Sequence, residues 1–155
     1  GDSVIMDNYK DGGEVLQESV LRIPKVVFDE VRFLRRGFKS RKPSDANVEL
    51  QSQVDKIEDG HYRVYLRASV QKENEYEALV QISGYCEVDE EYKGKDVLLR
   101  QNAVAILFAY VRSELTLITS QPDTDPIVLP VVNIAAMMKD KDSNSLELNN
   151  TIGKT

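Results

Sequence analysis

Residues 97–120 read VLLRQNAVAILFAYVRSELTLITS, and the way their apolar side chains recur decides the fold. At roughly 100° per residue they fall into two helical stripes. Val97, Val104, Phe108, Val111, Leu115 and Ile118 run along one side, while Leu99, Ala103, Ile106, Tyr110 and Leu117 lie nearly opposite. A helix resting on a single sheet needs only one of these. Burying a large apolar side chain stabilises by about 1.5–3 kcal/mol, so a second stripe left in water burdens a small chain heavily. A second copy covering that side, in sheet-helix-helix-sheet layering, is one answer. The C-terminal segment folding back over it is the other.

Upstream, the period switches from helical to two. Val48, Leu50 and Val54 alternate with Glu49, Gln51, Gln53 and Asp55, which predicts a strand from Asn47 to Ile57 with one wet face. The Asp59-Gly60 pair then marks a hairpin, because the turn needs positive φ. Tyr62, Val64, Leu66, Ala68 and Val70 form the apolar half of a third strand, and Tyr76, Ala78, Val80, Ile82, Cys86 and Val88 that of a fourth, with a bulge expected at Gly84. The β-branched and aromatic run of residues 25–35 predicts a first strand, joining the meander's edge or pairing with another chain. Asp96 is expected to cap the helix.

Downstream, Pro126 and Pro130 frame Ile127-Val128-Leu129-Pro130-Val131-Val132-Asn133-Ile134, which can be neither regular helix nor central strand and reads as an apolar loop. Ala135 to Met138 fits one further helical turn. Three regions result: a lead-in over 1–24, in which Val15, Leu16, Val20 and Leu21 fit a short amphipathic turn; a domain over 25–138; and a polar tail over 139–155, expected to be disordered. The fold class is α+β, a four-stranded antiparallel sheet packed on one long helix plus a short C-terminal helix.

Composition narrows the function. The chain has 155 residues, 41% of them hydrophobic, enough for one packed domain. Its net charge of −6 argues against a nucleic-acid partner. The first residues lack the basic start and apolar stretch of a signal peptide, and Gly1, in place of an initiator Met, reads as a cloning remnant. The nine-residue apolar run from Ala103 to Val111 falls short of the roughly 20 residues that span a bilayer, so no membrane insertion is expected. One cysteine, Cys86, requires no oxidising compartment, and the expected location is the cytoplasm.

Chemistry-bearing residues are sparse. His61, the only histidine, follows a turn glycine with no carboxylates at ligand spacing, so no metal site is expected. Cys86 reads as a buried thiol rather than a nucleophile. Gly12-Gly13 lacks the strand-to-helix context of a phosphate loop. Nothing ties Asp29-Glu30, Asp89-Glu90 or Glu114 to one pocket, so neither enzyme activity nor a cofactor is expected. The basic stretch Arg32, Arg35, Arg36, Lys39, Arg41, Lys42 either grips acidic partners or protects an edge strand from pairing with strangers.

The run Arg100-Gln101-Asn102-Ala103-Val104-Ala105-Ile106-Leu107-Phe108-Ala109-Tyr110-Val111-Arg112 resembles the long-helix signature of the SecB protein-export chaperones. Residues 126–134 resemble that family's helix-connecting segment. The resemblance implies an ATP-independent holdase for unfolded or presecretory polypeptides, with dimers pairing into a homotetramer through the long helices, or else a dedicated chaperone of one partner such as an antitoxin. By position it makes Phe33, Leu34, Phe38, Ile127, Val128, Leu129, Val131, Val132, Met137 and Met138 the client-binding candidates. The oligomer interface would take Leu99, Ala103, Ile106, Tyr110 and Leu117. Docking on the SecA translocation ATPase would use acidic sheet residues, for which Glu49, Asp55, Glu75, Glu77 and Glu87 are the candidates, though Arg63 and Arg67 interrupt that face. The chain departs from the family in Ala109, where proline is usual, in Ile134, where phenylalanine is usual, and in a second helix that runs at once into Lys139-Asp140-Lys141-Asp142.

Overall fold

The structure is a computed structural model. It describes residues 20–131, 133 and 134, together with the backbone of four short strand segments. In chain order the elements are β1 (Val4–Ile5), β2 (Asn8–Tyr9), β3 (Val15–Gln17), β4 (Leu21–Arg35), β5 (Ala46–Glu58), β6 (His61–Lys72), β7 (Tyr76–Val88), helix α1 (Lys95–Thr119) and β8 (Ser145–Asn149). All pairings in the main sheet are antiparallel, in the order β1-β4-β7-β6-β5-β8, and β2 pairs with β3 separately. The four long strands are the expected ones. The first returns beside the fourth in a Greek-key arrangement, which decides between the two placements left open for it.

Alternation puts Val48, Leu50, Val64, Leu66, Ala68, Val80 and Ile82 on one face, in register across three strands and fully buried. Gly60, with φ of 79°, makes the expected hairpin turn. The first strand begins earlier than expected: Leu21 and Ile23 are wholly buried, and Pro24 sits at a bulge between Arg22 and Lys25, where a missing N–H disturbs no ladder. Gly84, expected at a bulge, pairs regularly with Val26 and Val64. It is small because the helix comes close: a Cβ there would lie 3.1 Å from Leu107 Cδ2. Within the tail expected to be disordered, Ser145–Asn149 lies along β5 as an edge strand.

Helix α1 packs chiefly on β7 and β6. Its 25 residues are long and apolar enough to cross a bilayer, yet Leu99, Ala103, Val104, Leu107, Phe108, Val111 and Leu115 are buried within the chain itself. Gly94, not Asp96, precedes its first residue, and no side chain caps it.

After the helix, the turn at 121–126 is stapled to the sheet. Lys72 Nζ donates to Asp125 Oδ2 at 2.8 Å, Tyr76 Oη donates to the Asp125 carbonyl at 2.9 Å, and Arg35 bonds Thr124 and the carbonyls of Gly37, Pro122 and Asp123. Burial and the neighbouring Asp125 push the Tyr76 phenol upward. Residues 127–131 then run back along α1 as an apolar strap. Its backbone outside helix and sheet still needs partners, and the helix supplies them. Thr116 Oγ1 donates to the Ile127 carbonyl at 3.0 Å, Arg112 Nε to the Leu129 carbonyl at 3.1 Å, and Ile127 N–H donates to Thr119 Oγ1 at 3.0 Å.

Candidate functional site

Among the described residues, the outward side of α1 is a surface without an internal partner. From Gln101 to Thr119 its exposed residues are Ala109, Tyr110, Ser113 and Leu117, none of them charged. Arg112 and Glu114, the charged residues of that span, are half-buried at its flanks. A cleft on each side widens this strip. Beside β4, Phe28 faces Ala109, Tyr110, Ser113 and Glu114. Beside the strap, Leu117 and Leu129 line an open cleft of about 450 Å³ with Arg112, Ser113, Thr116 and Ser120. Ser113 belongs to both, so the clefts adjoin across the helix.

β4 supplies apolar surface because α1 barely reaches it. Phe28 pairs in register with Ile82 and Val31 with Val80, which places both on the helix side of the sheet, yet both remain exposed. A bulge between Phe28 and Glu30 keeps them on that side although they are three residues apart. Neither was singled out from the sequence. The available signal was a run of apolar residues in β4 denser than one buried face requires.

The candidates read from the sequence separate. Phe33 and Leu34 stand on opposite faces, as adjacent strand residues must. Phe33 stacks on Tyr76, ring centroids 5.2 Å apart, while Leu34 lies on the outer face beside Arg32 and Leu79. Phe38 is 76% exposed on the loop after β4. Ile127 and Leu129 are buried core residues, Leu129 also forming part of the cleft beside the strap, while Val128 and Val131 are exposed. Val132, Met137 and Met138 lie outside the described residues.

The interface candidates need a sharper correction. Leu99 and Ala103 are buried against the chain's own sheet, Ile106 is half-buried, and only Tyr110 and Leu117 are exposed. For Leu99 the cause is a π-helical turn over Leu98–Ala103. On an α-helix Leu99 and Val104 stand about 140° apart. A π turn takes roughly one more residue, which brings Leu99 nearly under Val104. Val97, expected on the buried side, is rotated out and exposed.

The acidic residues named for SecA docking are paired in part. Glu77 pairs with Arg36 at 2.9 Å, Glu87 with Arg22 at 3.4 Å, and Glu75 is buried under the Ser44 hydroxyl. Glu49 is exposed and Asp55 lies opposite Arg63. Ser83 Oγ, Arg63 and Gln81 all converge on Asp29, so the outer face is a cross-strand charge network rather than an acidic patch.

No reactive centre emerges from the titratable groups described. Burial pushes the Cys86 thiol up to about 12, far from the thiolate a nucleophile requires. His61 is exposed, with Nδ1 3.3 Å from the Asp59 carbonyl. Glu90 takes hydrogen bonds from Lys95, from Tyr62 Oη at 2.6 Å and from the Gly60 N–H at 3.1 Å. These hold its carboxyl well below the usual range and raise Lys95 in return. That cluster ties the β5–β6 turn to the start of α1. Among the described residues no three His, Cys, Asp or Glu side chains are grouped to hold a metal.

No family model matches the chain. An uncharacterized protein of Methanocaldococcus jannaschii, MJ0357, is 43% identical over 63 residues, a match spanning 38% of this chain and only 39% of that protein. Among solved structures, the fold matches the Mycobacterium tuberculosis Rv1957 SecB-like chaperone in complex with a ChAD peptide from the Rv1956 HigA1 antitoxin. The TM-score is 0.63 at 11% identity, covering 72% of this chain and 90% of that one. The chain therefore shares that neighbour's fold, an antiparallel sheet of four long strands under one long helix.

Proposed function

We propose that this protein is an ATP-independent chaperone that holds unfolded polypeptide segments on the apolar surface around α1, in an assembly of copies joined through that helix. One observation carries the reading: a helix side of almost 20 residues bears no exposed charge and is flanked by two apolar clefts. A helix side meeting only water carries charged residues, so this one is made to be covered. A two-fold contact would set Ala109, Tyr110 and Leu117 against their equivalents, and a dimer of dimers is the assembly we favour. Phe28, Val31, Val128 and Val131 would stay at its margins for clients, who are recognised by apolar side chains rather than by sequence. The shared fold adds support, and a cytoplasmic location goes with the lone buried thiol.

The test is suppression of aggregation of a chemically denatured client without ATP. The wild-type protein suppresses it near stoichiometry. Val128→Asp with Val131→Asp loses most of that capacity while light scattering reports an unchanged assembly. Leu117→Asp lowers the assembly state instead. No suppression by excess wild-type protein would overturn the reading.

A second reading is service to one dedicated partner. The antitoxin peptide held by the Mycobacterium neighbour favours it. Pull-down distinguishes the two: one stoichiometric partner selects the dedicated role, and many substoichiometric ones the general role.

A further inference from the structure

The basic stretch after β4 does two different jobs. Arg32 pairs with Glu30 at 2.9 Å, Arg36 with Glu77 at 2.9 Å, and Arg35 clamps the turn after α1. Lys39, Arg41 and Lys42 are exposed, and among the described residues none of them has an ion pair. They sit in a loop, not on a strand, so edge protection does not explain them. The loop's base is fixed: Arg36 and Gly37 N–H groups donate to the Glu75 carbonyl at 2.8 and 3.0 Å, and Ser44 Oγ donates to Glu75 Oε2 at 2.7 Å. From this base Phe38 projects into solvent beside three cations, on a chain whose net charge is −6.

We infer that the loop from Gly37 to Lys42 is a selectivity element, preferring client segments whose apolar core is flanked by Asp or Glu. Phe38 meets an apolar side chain of the client, while Lys39, Arg41 and Lys42 pair with the acidic residues beside it. Charges at such a rim govern encounter rate and partner choice, and they act within a Debye length of about 8 Å at physiological ionic strength. Clients with basic flanks are repelled by the same three groups. This inference rests on the chaperone reading above and adds the chemical class of the client.

Fluorescence anisotropy with two labelled peptides tests it. Both carry one apolar core, flanked either by Asp and Glu or by Lys. Three exposed charge contacts predict that the acid-flanked peptide binds about tenfold tighter at low salt, a gap that closes as salt is raised. Lys39→Glu, Arg41→Glu and Lys42→Glu together reverse the preference while a neutral-flanked peptide binds as before. Equal binding of the two peptides by the wild-type protein, tighter binding of the Lys-flanked one, or a preference surviving the triple reversal overturns the inference and leaves the chaperone reading standing. If none of the peptides binds and aggregation is not suppressed, both fall.

Discussion

Strands β6 and β7 and the pair formed by β4 and α1 enclose one core, but only the second pair contains inserted residues. β6 pairs with β7 without interruption from His61 to Lys72, and every inward side chain is covered. β4 carries two bulges and α1 one π turn. Those two elements also present the exposed apolar surface, through Phe28, Val31, Tyr110 and Leu117. An extra residue in a ladder or a helix re-aims the side chains around it: the bulge after Phe28 keeps Phe28 and Val31 on the helix side, and the π turn brings Leu99 into the core. The inward sides of β6 and β7 are given wholly to the core, whereas β4 and α1 serve both core and surface.

Deletions test this contrast most severely. Removing Ala109 from the regular part of α1 rotates one half of the buried stripe by about 100° against the other, and thermal melts should show no cooperative transition. Removing Gln101 turns the π turn into an α turn with Leu99 still beneath Val104, and the melting point should stay within a few degrees. Unfolding by both deletions would break the comparison.

Truncations come next. Leu107→Ala and Leu99→Ala should each cost about 2–5 kcal/mol in urea unfolding, whereas Leu117→Ala should stay within about 0.5 kcal/mol at concentrations where the chain is monomeric. A neutral Leu99→Ala would return that residue to the outer stripe.

A smaller effect concerns pH. Because Glu90 is held below the ordinary carboxylate range, its stabilising contribution is full above about pH 4.3 and is lost as pH falls toward its folded value. Glu90→Gln should therefore melt below wild type at neutral pH and converge with it in acid. The smallest signal is the thiol: Cys86, buried and raised to about 12, should resist maleimide at pH 8 until the protein is unfolded, as read by mass.

Local pattern reached far in this chain. Alternation within residues 47–88, the Asp59-Gly60 turn, the long helix and the two-proline apolar segment all follow from side-chain period and backbone restriction over a few neighbours. Those causes act within one element, so the residues themselves carry them. The candidate site was less legible. Whether Leu99 is core or surface depends on one inserted residue, and uniform periodicity cannot register it. Phe28 and Val31 are surface because the helix settles over β7 and β6 rather than β4, while Ile127 and Leu129 are core because Thr116 and Arg112 hold the strap's carbonyls. Likewise, β4 lies beside β7 through contacts between residues 40 to 70 positions apart. Period and turn chemistry are properties of neighbours in sequence, whereas phase, coverage and strand order are settled only when distant segments compete for the same space.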